Sequence, residues 1–134
     1  MDGKGMRPGK SVLTRRHYNY FVVYMSDQTL GDFEQIVLLA ILRLGENAYG
    51  VTIREEITAR TDRDPSPGAL YNTLARLEEK GLLKSKLGDP TAARGGRAKR
   101  FVKLTGGGID AVTRAQRAYQ NLLQGFTLPG LAHG

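Results

Sequence analysis

Apolar residues recur with helical spacing in four stretches of the chain and with strand spacing in two. Over residues 30–44, Phe33, Ile36, Val37, Leu39, Ala40, Ile41 and Leu44 cover more than one face. A helix of that kind is buried on several sides, at the centre of a small domain or beneath a partner subunit. Thr29 is its expected cap, with Asp32 three residues on, and Gly45 its stop. A second helix begins at Ala48 or Tyr49 and runs to Arg60. Tyr49, Ile53 and Ile57 form its inner stripe, and Arg54, Glu55, Glu56 and Arg60 its solvated face. After the polar turn 61–65, Ser66 caps a third helix with Pro67 at its first position, where proline fits best. Leu70, Leu74 and Leu77 make its buried stripe. Gly81 ends it, with Leu82 folding back onto Leu77.

Beyond Gly81 the period changes. Residues 83–87, Leu-Lys-Ser-Lys-Leu, alternate as a half-buried strand does. Residues 100–104 are the expected partner strand, with Val102 and Leu104 inward. The loop between them is rich in Gly, Ala and Arg. Thr105 can cap a fourth helix, although Gly106-Gly107-Gly108 makes a poor first turn. Ile109, Val112, Gln116, Tyr119, Leu123 and Phe126 then alternate by three and four, a short heptad seam with one polar member. The order helix-helix-helix-strand-strand-helix predicts a mainly α chain with a small β-ribbon: a winged helix-turn-helix plus a C-terminal dimerisation helix. The expected divisions are a basic segment at 1–24, the winged domain at 25–105, the dimerisation helix at 106–127 and a tail at 128–134.

Composition sharpens this picture in two respects. The 134 residues carry 20 Lys and Arg against 13 Asp and Glu, a net charge of +7, which favours an anionic partner. Residues 1–24 hold five of the basic residues and one acidic residue, so from Met25 onward the net charge is +3. That segment lacks a helical apolar period, and it reads as a disordered or mis-assigned start, with a basic DNA-binding arm as the alternative. It lacks the apolar run and cleavage site of a signal peptide, and no stretch approaches a membrane span. Cysteine is absent, which excludes disulfides and thiolate metal sites and fits a cytoplasmic location.

Candidate chemistry concentrates in the third helix and the ribbon. Gly68, Ala69, Asn72, Thr73 and Arg76 lie off the leucine stripe and would face a groove, with Ser66 at the helix start. Asn72 suits an adenine edge, and Arg76 a guanine edge or a phosphate. The bland alternative pairs Arg76 with Glu79 on a solvated face. Tyr71 is divided between a phosphate contact and packing against the second helix. Between positions 84 and 103 stand seven basic residues, Lys84, Lys86, Arg94, Arg97, Lys99, Arg100 and Lys103, against one acid, Asp89. Gly95-Gly96 lets that backbone approach a phosphate. His17 and His133 are isolated, and no metal spacing, nucleophile set or phosphate-binding glycine loop is visible; neither enzyme nor cofactor is expected.

The same residues carry a resemblance. The pieces are Leu38-Leu39-Ala40-Ile41-Leu42 leading to Ala48-Tyr49-Gly50; Gly68-Ala69-Leu70-Tyr71 with Leu74; 76–82, Arg-Leu-Glu-Glu-Lys-Gly-Leu; and 100–105, Arg-Phe-Val-Lys-Leu-Thr, ending at a glycine. In this order and spacing, from about residue 30 to about 124, the chain resembles the PadR family of bacterial transcriptional regulators. One helix after the wing matches the compact subgroup. The resemblance implies a homodimeric repressor bound to double-stranded DNA, and leaves open an unidentified small-molecule effector. Phe33, Tyr119 and Phe126 are candidates for such a pocket, with core packing as the alternative. The competing reading is a winged-helix protein-interaction module that does not bind DNA.

Overall fold

The structure, a computed structural model, describes residues 29–89 and 98–130. The readings of segment 1–24, of Met25 as a start, of His17 and His133, and of Arg94 and Arg97 in the wing loop lie outside the described residues. The chain divides into two units, Met1–Leu30 and Gly31–Gly134, and every element below belongs to the second. In order they are α1 (Asp32–Leu44), a 3-10 turn (Gly45–Asn47), α2 (Gly50–Arg60), α3 (Pro67–Glu79), β1 (Leu83–Leu87), β2 (Arg100–Leu104) and α4 (Gly106–Leu123).

α1 is the central helix and touches α2, α3, α4 and β2. Val37, Leu38, Ala40 and Ile41 are buried among them, together with Glu34 and Gln35. Its start differs from expectation. Gly31, not Thr29, is the capping residue, and its amide donates to the Glu34 carboxylate at 2.9 Å. Glu34 has one turn of chain to reach back over, whereas Asp32 is too close to the terminus to do so. Leu39 and Leu42 stay 36% and 46% exposed, so the helix is not enclosed all round. Gly45 ends it in a positive-φ conformation that favours glycine (φ 60°).

α2 buries Ile53 and Ile57. Its first turn is closed by Thr52, whose hydroxyl oxygen accepts from the Tyr49 amide at 3.0 Å. α3 begins as its sequence specifies: Ser66 Oγ accepts from the Ala69 amide at 3.1 Å, with Pro67 in the first turn. It ends in a Schellman stop. Gly81 at φ 79° donates to the Glu78 carbonyl, and Leu82 to that of Leu77, both at 3.0 Å. The inner stripe of α3 is Leu70, Thr73 and Leu77; Leu74 is only half-buried. This corrects the expected exposure of Thr73, which is 3% exposed. A position three residues from Leu70 and four from Leu77 falls on the core side whatever its polarity.

β1 and β2 pair antiparallel with Leu83 opposite Leu104 and Ser85 opposite Val102. Leu83, Val102 and Leu104 are buried as the alternation requires, while Leu87, farther out on the ribbon, is 61% exposed. The outer edge of β2 is tied to the domain by the Val102 amide, which donates to the Ala48 carbonyl at 3.0 Å.

One member of the α4 glycine triplet, Gly108, meets a steric requirement. A Cβ on Gly108 would sit 2.2 Å from the Leu82 carbonyl oxygen and 3.3 Å from Leu104 Cβ. Helix and ribbon approach too closely there for any side chain. Thr105 caps the helix, accepting from the Gly108 amide at 3.1 Å and donating to the Gly81 carbonyl at 2.7 Å. The helix ends at Leu123, and Phe126 follows it beyond a positive-φ Gly125.

Candidate nucleic-acid interface

α2, the turn after it and α3 form one rigid corner. Arg54 Nε donates to the Pro65 carbonyl at 2.9 Å, and the Thr61 hydroxyl donates to that of Ile57 at 2.8 Å. The residues of α3 opposite its core stripe are Gly68, Asn72, Ala75 and Glu79, spaced by four, three and four, with Ala69 and Tyr71 beside them; all are exposed. Ala75 was missed in the sequence because a methyl beside a leucine stripe carries no polar signal. Among the described residues, Gly68 has no neighbouring side chain or packed element within 4 Å of where a Cβ would stand.

Tyr71 is 59% exposed, yet its ring lies over the first residue of α2. A Cβ at Gly50 would come within 3.0 Å of the Tyr71 hydroxyl. The packing reading of Tyr71 holds at its hydroxyl end, which lies over Gly50, while the rest of the side chain stays largely exposed. Beyond it stands the base of the wing. The Tyr49 and Phe101 rings meet edge-on at 5.4 Å, and Lys99 Nζ lies 4.5 Å from the Tyr49 ring centroid. A groove of about 820 Å³ runs between α3 and the ribbon, lined by Tyr49, Gly50, Tyr71, Ala75, Lys99 and Arg100. Arg100 is fixed there: its Nη1 donates to Ser85 Oγ at 3.0 Å, and that hydroxyl donates to the Glu78 carboxylate at 3.1 Å.

Not every basic residue expected at this face reaches it. Lys84 and Lys86 alternate with Ser85, so they stand on the opposite side of the ribbon. With Lys103 they border a second groove, of about 690 Å³, with Ile41, Leu42 and Ile109. The structure brings Lys99 and Arg100 together with α3, and does not bring Lys84 or Lys86.

Arg76 is also engaged differently from either sequence reading. Its partner is Glu34 of α1, not Glu79. Arg76 Nε donates to Glu34 Oε2 at 3.1 Å and Nη2 to Thr73 Oγ1 at 3.3 Å, while Lys80 Nζ lies 3.0 Å from Glu34 Oε1. The Glu34 side chain is 7% exposed. Burial opposes its ionisation, but the Gly31 amide, Lys80 and Arg76 more than offset that and hold its pKa below the usual carboxylate value.

On the far side of α1, two members of the expected seam turn inward. Val112 is 2% exposed and belongs to the core. Gln116 Nε2 donates to Gln35 Oε1 of its own chain at 3.1 Å, and Gln35 Nε2 reaches toward the Tyr119 hydroxyl at 3.5 Å. Ile109, Tyr119, Leu123 and Phe126 remain 39–59% exposed, joined by Leu122 at 79%. None of the three aromatic candidates for an effector pocket is buried. Phe33 lies beneath Arg63 at 5.9 Å, and Tyr119 and Phe126 are on the surface. Among the described residues no cluster of His, Cys, Asp or Glu suits a metal, and no helix is long and apolar enough to cross a membrane.

A three-helix corner with a two-strand wing and an added helix is the winged-helix class. The chain matches the model of the transcriptional regulator PadR-like family over residues 38–114, and it belongs to that family. Among solved structures it is similar to a PadR family transcription regulator from Clostridium difficile, at 26% identity over 69% of this chain and 92% of the other, with a TM-score of 0.57. A PadR-like transcription factor from Bacteroides fragilis gives 24% identity, 78% and 93% coverage and a TM-score of 0.57. A transcriptional regulator from Clostridium thermocellum gives 24%, 68% and 85%, and 0.55. No curated protein matches the sequence.

Proposed function

We propose that this chain is a homodimeric transcriptional repressor that reads an inverted repeat in double-stranded DNA. The observation that carries the reading is the exposed face of α3, aligned with the groove of Tyr71, Lys99 and Arg100. α3 enters the major groove with Gly68, Ala69, Asn72 and Ala75 foremost, and Ser66 and Tyr71 at its flank. Lys99 and Arg100 take phosphates, joined by Arg94 and Arg97 of the wing loop. Gly68 admits close approach of a DNA strand. Lys84 and Lys86 are left outside the contact.

The dimer rests on the far end of α4. Its own domain buries Ala111 and Val112, and its apolar residues then run on, uncovered, through Tyr119, Leu122 and Leu123. A second copy offers the same surface and an isologous way to cover it. Two reading heads about a two-fold axis fit half-sites about 10 bp apart, or a multiple of that. A gel-shift with the DNA upstream of the chain's own gene tests the reading. A shifted, competitor-resistant complex supports it. Failure to shift any duplex, with the protein folded, favours the protein-interaction module instead.

A further inference from the structure

Recognition helices commonly read guanine with arginine, because a guanidinium matches the two acceptors of that base. α3 has one arginine and, at its end, one lysine, and both are turned toward the same carboxylate. Glu34 comes from a residue 42 positions earlier in the chain and is almost fully buried between them. It bonds three groups at once: the Gly31 amide at 2.9 Å, Arg76 Nε at 3.1 Å and Lys80 Nζ at 3.0 Å. Arg76 is held a second time by Thr73, whose burial fixes the hydroxyl in place. Arg76 itself stays 52% exposed, so the cluster aims its guanidinium at α1 without burying it, and removing it would take one of two cations from a buried carboxylate.

Apart from Tyr71, Glu78 and Glu79, what remains on the open face of α3 is short and uncharged. Asn72 is its one amide, and Ala69 and Ala75 contribute methyl groups. Asn pairs bidentately with adenine in the major groove, and an alanine methyl packs on the thymine methyl. We infer that Glu34 is a specificity-determining residue: by turning the half-exposed Arg76 toward α1, it leaves α3 to select adenine–thymine pairs through Asn72, Ala69 and Ala75, with no guanine read by Arg76. The inference rests on the proposal that α3 enters the major groove.

Selection of binding sites from random duplexes, run in parallel on the unmodified chain, Arg76→Ala and Glu34→Gln, tests it. The unmodified chain should enrich half-sites with A·T pairs where α3 lies. Arg76→Ala should enrich the same half-site with an unchanged salt slope. Glu34→Gln, which keeps the shape and removes the charge, should release Arg76. Its binding to random duplex should tighten, and the slope of log K against log salt should steepen by up to about 0.9 for one new phosphate contact. A purely structural Glu34 would lower thermal stability without steepening that slope. A guanine enriched by the unmodified chain and lost in Arg76→Ala, at a discrimination of about fivefold or more, overturns the inference while leaving DNA reading intact. No enriched sequence at all would refute the reading beneath it as well. If Glu34→Gln does not fold, the comparison with Arg76→Ala decides alone.

Discussion

At the scale of single residues, two positions separate what the fold needs from what the interface needs. Gly68 has open space around it and an ordinary φ. Replacing it by alanine should stabilise the isolated protein by up to about 0.5–1 kcal/mol, because glycine loses more freedom on folding. The same change should weaken DNA binding, since the new methyl occupies the face proposed to meet the duplex. Thermal melts and a binding titration on one preparation check both halves. Glu34 is the opposite case. Its folded pKa lies below the ordinary value of 4.5. Its contribution to stability is therefore complete above that ordinary value and is lost as pH falls through the folded one. The stability gap between the unmodified chain and Glu34→Gln should be widest above pH ~4.5 and close below it. A gap that stays constant from pH 6 to pH 3 would mean that the charge of Glu34 contributes nothing.

Among the elements, the legible ones were those whose ends are set by local chemistry. Ser66-Pro67 and Gly81-Leu82 place α3 to the residue, because a cap and a Schellman stop each involve neighbours within six positions. The errors came from contacts between distant residues. Thr73 reads as polar, and hence as exposed, until α1 is seen against it. Gln116 reads as a seam residue until Gln35, 81 positions away, accepts its bond. The Arg76–Glu34 pair, 42 positions apart, leaves no periodic trace. The glycine triplet of α4 looked like a defect in a helix, and at Gly108 it is a requirement of the α4–ribbon contact. Gly108→Ala should destabilise the domain by at least about 1–3 kcal/mol, since backbone must move to admit the methyl; denaturant unfolding measures it. In the wing, Lys99 and Arg100 line the groove beside α3, while Lys84 and Lys86 border the other groove. Lys99→Ala with Arg100→Ala should flatten the salt dependence of binding by up to about 0.9 per lost phosphate contact. Lys84→Ala with Lys86→Ala should leave the slope unchanged, and an equal loss in both pairs would place the duplex on both sides of the ribbon.

For the whole molecule, the apolar residues of α4 run on past Ala111 and Val112, where the domain stops burying them. Leu123→Asp with Phe126→Asp places charges beyond that point and should convert dimers to monomers in sedimentation at micromolar concentration. The core is untouched by these two exposed positions, so the variant should remain folded and keep weak, sequence-independent binding through the wing. A folded variant that is still dimeric would move the interface elsewhere. The account joins two surfaces, a reading face on α3 and a pairing face on α4, into one symmetric reader of DNA. Hydroxyl-radical footprinting of the duplex upstream of the chain's own gene tests that union most directly. Two protected patches related by a dyad, on one face of the helix and about 10 bp or a multiple of it apart, are the predicted result. A single patch without symmetry, or no protection at concentrations where the protein is folded, would contradict it.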